Sequence, residues 1–61
     1  MKRVLVKLKD GSVQKYENVS RIEEEKHYEN VIAVRLYDYD SELLAILDSN
    51  QIATLNSEEV S

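Results

Sequence analysis

The chain opens on an alternation: Val4, Val6 and Leu8 recur at every second position, and Lys7 and Lys9 fall on the opposite parity. A period of two is the mark of a strand with one buried face. Asp10-Gly11 follows, and a second alternating run covers Val13 to Tyr16. Asp-Gly between two such runs predicts a hairpin, because a tight turn needs positive φ, which Gly adopts freely and Asp tolerates. Gly11 is the only glycine, so this bend is specified once. The two strands are expected near residues 2–9 and 12–17.

Beyond this hairpin the pattern predicts a third strand near 19–25 and a polar loop at 25–30. Ser20 and Glu23 match a helix capping box. Ile22 and Tyr28 are the only large apolar residues of such a helix, and they do not share a helical face. The fourth strand, Val31 to Tyr37, is rich in β-branched residues. It is expected to turn Ile32, Val34 and Leu36 inward and Val31, Ala33, Arg35 and Tyr37 to the other side. Asp38-Tyr39-Asp40-Ser41 is a turn cluster. Leu43 to Leu47 fits a buried strand, and it also fits a helix over 41–49 capped by Ser41. The flanking turn residues and the shortness of the run favour the strand. Asp48 to Gln51 reads as a tight turn or a single 3₁₀ turn before a last strand, Ile52 to Leu55. The expected core is Val4, Val6, Leu8, Val13, Ile32, Val34, Leu36, Leu44, Ile46, Ile52 and Leu55.

These elements predict an all-β domain over 1–55, followed by a flexible acidic tail at 56–61. The expected architecture is a small five- to six-stranded antiparallel barrel or sheet of the Src-homology-3-like kind. The alternative is an α+β fold with the helix at 41–49. A 61-residue chain buries only about 60% of its unfolded surface. With no cysteine, neither a disulfide nor a thiolate metal site can reinforce it. A well-packed core or self-association has to supply the stability. Lys7, Lys9 and Asp10 interrupt any apolar stretch behind the basic N-terminus, and no run approaches the roughly 18 apolar residues of a membrane span. The expectation is a cytoplasmic protein without membrane contact.

The alternating first strand, Lys-Asp-Gly-Ser at 9–12, Tyr-Glu-Asn-Val-Ser-Arg-Ile at 16–22 and Ser-Asn-Gln-Ile-Ala-Thr-Leu at 49–55 form a recognisable outline. Over positions 4–55 it resembles short uncharacterised proteins encoded by phages and mobile elements of Gram-positive bacteria. The matching motifs are turn and core positions, so the resemblance implies a small accessory protein and transfers no catalytic residue.

Charge is uneven along the chain. Residues 1–16 carry a net +4 and residues 17–61 a net −8, within a total of −4. Candidate chemistry is sparse. Asp38, Asp40 and Glu42 could converge on a cation, yet the calcium-loop spacing fails, with Leu43 where Gly is required and Ser49 where the bidentate Glu belongs. Glu23, Glu24, Glu25 and Glu29 surround His27, the single imidazole, which is too little to organise a metal or an acid–base pair. No serine can count on a partnered base, and one glycine cannot form a phosphate loop. No catalytic, metal or cofactor residue is assigned, and a non-enzymatic role is expected.

Two binding surfaces compete. The first places a protein partner, or a homodimer seam, on Arg35, Tyr37, Asp38, Tyr39, Asp40 and Glu42. Tyr and Arg concentrate interface energy, and the carboxylates would steer a basic partner. The second places single-stranded nucleic acid on Lys7, Lys9 and Lys15 with Tyr16 as a stacking platform. A Lys-Asp-Gly turn after a first strand also occurs in Sm-like RNA-binding proteins, but their second motif has no counterpart in Ala45-Ile46-Leu47-Asp48. The net acidity opposes phosphate binding, and the protein partner is preferred.

Overall fold

In the computed structural model, which describes residues 1–60, the chain is β throughout apart from one 3₁₀ turn at Ser49–Gln51. Strands β1 (Lys2–Leu8) and β2 (Val13–Val19) form the first hairpin. β3 (Arg21–His27), β4 (Asn30–Tyr37) and β5 (Leu43–Asp48) follow, and β6 (Ile52–Glu59) closes the chain. They make two three-stranded antiparallel sheets, in the orders β2-β1-β6 and β3-β4-β5. The helix alternative at 41–49 is overturned. Leu43–Asp48 is strand and pairs with β4, for example Val34 opposite Leu47.

Each turn is explained locally. The first hairpin is closed by Leu8 N donating to Ser12 O at 2.8 Å and Gly11 N donating to Leu8 O at 3.0 Å. Gly11 sits at φ 95°, while Asp10 is not in the positive-φ region. Asp10 instead accepts from Ser12 N at 2.8 Å and Ser12 Oγ at 2.6 Å. The turn is thus a three-residue loop with a glycine bulge, in which the aspartate contributes its side chain. The loop expected at 25–30 is shorter than anticipated. β3 runs to His27, β4 starts at Asn30, and Tyr28 takes φ 57° at the tip.

The core is Val4, Val6, Val19, Val34, Leu36 and Leu47, with Leu8, Tyr16, Ile22, Val31, Ala45, Ile52 and Leu55 packed around it. Val13, Ile32, Leu44 and Ile46, expected inside, are 64%, 45%, 40% and 58% exposed. A β-bulge accounts for Ile32, whereas Leu44 and Ile46 share the outer phase of β5, whose inward positions are Ala45 and Leu47. Glu25 pairs with Ala33 and Lys26 with Val31, so Ile32 is an extra residue. It turns outward and lets Val31 pack inward. Leu36 pairs with Ala45 and Tyr37 with Leu43, so Leu44 is extra in β5. Ala53 is extra in β6 in the same way, between Thr54 and Ile52, which lets Ile52 and Leu55 both reach the core. A bulge shifts the alternation by one residue and exchanges the two faces beyond it. Val13 pairs with Lys7 on the outer face of its sheet, and Ile46 pairs with Arg35 on the outer face of the other.

The chain crosses between sheets at Ser20. Asn18, at φ 59°, lies where two residues of β2 face Arg3 alone. This bend buries Val19 completely, and Ser20 N donates to Tyr37 O at 2.7 Å. The domain also extends further than residue 55. Residues 56–59, expected to be flexible tail, pair with β1, from Leu5 opposite Asn56 to Lys2 opposite Glu59. Val60 N donates to Met1 O at 2.7 Å, and Ser61 lies outside the described residues. The unpaired edge of β1 provides the reason, since its N–H and C=O groups need partners that polar residues 56–59 supply through their backbone.

Candidate interaction surface

The outer face of the β3-β4-β5 sheet is set by register. Arg21 lies opposite Tyr37, Glu23 opposite Arg35 and Glu25 opposite Ala33 on β3. On the β5 side Tyr37 faces Leu43, Arg35 faces Ile46 and Ala33 faces Asp48. Arg35 and Tyr37, both half-buried, therefore sit at the centre of a face flanked by exposed Leu43 and Ile46. The Arg35 guanidinium donates to Glu25 Oε2 at 2.8 Å. The Arg21 guanidinium carbon lies 4.1 Å from the centroid of the Tyr37 ring. A cation–π contact of this kind orients the ring and contributes about 0.5–1 kcal/mol at an exposed site.

The acidic turn lies at one end of this face. Asp38 N donates to Glu42 O at 2.9 Å, Ser41 N donates to Asp38 O at 3.2 Å, and Ser41 takes φ 63°. This is the arrangement of the first hairpin, with Ser41 in the place of Gly11. Asp38 Oδ1 accepts from Asp40 N and Glu42 N, both at 2.9 Å. The Asp38 carboxylate thus maintains the turn, while Asp40 and Glu42 remain exposed. Tyr39 is 58% exposed in the turn, beyond the end of β4. Ile32, Leu43 and Ile46 are additions to the surface. Their outward placement follows from strand pairing, which period alone does not give.

The alternative surface does not come together as one face. Lys7 and Lys15 share the outer face of the β2-β1-β6 sheet, since Leu5 pairs with Lys15 and Lys7 with Val13. Lys9 belongs to the turn. Tyr16 pairs with Val4, packs against the core from the inner face and donates its hydroxyl to Gln14 Oε1 at 2.6 Å. The stacking ring is thus on the side away from the lysines. Arg3, on the lysine face, is held by Glu17 at 3.1 Å and Glu58 at 3.8 Å.

An open notch of about 280 Å³ separates the inner faces of the sheets, lined by Ile22, Glu24, Val34, Ser49, Ile52 and Leu55. No residue of either candidate surface lines it. His27 and Tyr28 meet edge-on at the exposed β3–β4 tip, with ring centroids 4.6 Å apart. Among the described residues Asp10 is the one titrating group held clearly below its ordinary range, chiefly by its hydrogen bond from the Ser12 hydroxyl and then by that from the Ser12 backbone. Among the described residues no helix is long and apolar enough to cross a membrane. No protein-family model, curated protein or solved structure matches this chain.

Proposed function

We propose that this protein is a non-enzymatic, cytoplasmic protein-interaction module that binds a partner on the outer face of the β3-β4-β5 sheet. The observation that carries the reading is the juxtaposition of Tyr37 and Arg35 with exposed Leu43 and Ile46, ending at the carboxylates of Asp40 and Glu42. An aromatic and an arginine beside exposed aliphatic groups, rimmed by charge, is the composition of an interface centre with its rim. The rim carboxylates favour a partner with a basic surface and act mainly on the rate of encounter. The strand order, with a 3₁₀ turn before the last strand, supports a small open barrel of the Src-homology-3-like kind as the scaffold. The resemblance to short phage and mobile-element proteins supports an accessory role, exercised by binding a host or phage component.

The test is affinity capture from lysate with and without nuclease, followed by mass spectrometry. A protein retained after nuclease, and lost with Tyr37→Ala while circular dichroism stays unchanged, supports the reading. Asp40→Asn combined with Glu42→Gln should weaken retention chiefly at low ionic strength, where screening is least. Retention that disappears with nuclease and depends on Lys7, Lys9 and Lys15 would replace this reading with single-stranded nucleic-acid binding.

A further inference from the structure

We infer that the protein self-associates through β5, two copies joining their free β5 edges antiparallel into one continuous six-stranded sheet. β5 is the terminal strand of its sheet and pairs with β4 alone. Its other side presents unpaired backbone N–H and C=O groups, which natural sheet edges protect with charged side chains. The other three terminal strands follow that rule. β2 carries Lys15 and Glu17, β3 carries Glu23, Glu24, Glu25 and Lys26, and β6 carries Glu58 and Glu59. β5 carries no charge from Leu43 through Leu47, and Leu43, Leu44 and Ile46 are 47%, 40% and 58% exposed.

The available area agrees with a weak dimer. The surface of 4415 Å² averages about 70 Å² per residue. The six residues of β5, with Leu47 only 8% exposed, therefore offer at most about 430 Å² per copy, in the range of weak contacts. Charge selects the orientation. An antiparallel pair sets a single Asp48 beside each acidic turn, Asp38 to Glu42, whereas a parallel pair would place the two turns, with three carboxylates each, side by side. The contact is then isologous, with β5 on both sides, and closes as a twofold dimer. It leaves the Tyr37 ring and Arg35 free on the face but takes up Leu43 and Ile46, so it shares those two residues with the partner surface, and Tyr37→Ala separates the two. A second copy also supplies what a core of six small and medium side chains lacks, since small folds without disulfide or metal commonly gain stability by oligomerisation.

Sedimentation velocity over a roughly hundred-fold concentration range tests this. The expected result is a shift from 7.1 kDa to twice that mass. Because each copy carries −4, association should strengthen severalfold from about 0.01 M to about 0.5 M salt as repulsion is screened. Leu44→Lys and Ile46→Lys should each hold the protein at monomer mass with unchanged circular dichroism, and Tyr37→Ala should leave the dimer intact. Hydrogen exchange of the unsubstituted protein provides a second readout, with β5 amides slowing as concentration rises. Monomer mass at about 1 mM in high salt, a dimer that persists in both lysine variants, or β5 exchange independent of concentration would overturn the inference. So would a ladder of higher oligomers abolished by Lys15→Glu, which would indicate head-to-tail contact with the basic hairpin.

Discussion

Gly11 and Ser41 occupy equivalent positions in two hairpins of the same design, and substituting them in turn isolates the cost of the left-handed backbone. Each turn has a hydrogen bond from that residue to the carbonyl three positions earlier, with φ 95° at Gly11 and 63° at Ser41. A Cβ added at Gly11 meets nothing within 4 Å, so a substitution there is opposed by backbone conformation and not by collision. Valine in this region costs about 1–3 kcal/mol. Its smaller unfolded-state entropy offsets about 0.4–1 kcal/mol. Gly11→Val should therefore destabilise by about 1–2 kcal/mol, and a domain of this size loses 4–8 °C in Tm for each ~1 kcal/mol. Ser41→Val should show a loss of the same order. Ser41→Gly should be within about 0.5 kcal/mol of neutral, because relief of strain and added unfolded-state freedom nearly cancel. Urea and thermal unfolding of the three variants followed by circular dichroism provide the measurement. A Tm unchanged by Gly11→Val would refute the turn, and opposite responses of Gly11→Val and Ser41→Val would refute the equivalence of the hairpins.

Two further outcomes concern stability. Leu36 is fully buried and Ile32 is 45% exposed, although they sit four residues apart on one strand. Leu36→Ala should cost about 2–5 kcal/mol, enough to unfold much of a thin-margined domain, while Ile32→Ala should cost under about 1 kcal/mol; equal losses in urea unfolding would refute the bulge at Ile32. The depressed pKa of Asp10 means its hydrogen bonds stabilise the fold above the ordinary carboxylate value of 3.8. That contribution is lost as pH falls through the lower folded-state value. Asp10→Asn should therefore flatten the acid limb of the stability–pH curve, and an acid limb identical to that of the unsubstituted protein would remove Asp10 from the account.

The sequence by itself determined the features that a few neighbouring residues decide. The hairpin around Gly11, the inward set Val4, Val6 and Leu8, the turn after Tyr37 and the 3₁₀ turn at 49–51 all follow from local backbone preference and alternation. Arg35 and Tyr37 were also legible as one outward pair, because the bulge beside them adds its extra residue to β5 and leaves the alternation of β4 intact there. Tertiary structure decided the rest. Extra residues at Ile32, Leu44 and Ala53 exist only relative to a partner strand, and each reverses the facing of what lies beyond it. The outward Ile32, the inward Leu47 and the final strand through Glu59 therefore had no signature in period two. Alternation states which residues share a face within one strand, and only pairing with neighbouring strands determines where that phase slips and which face meets the core.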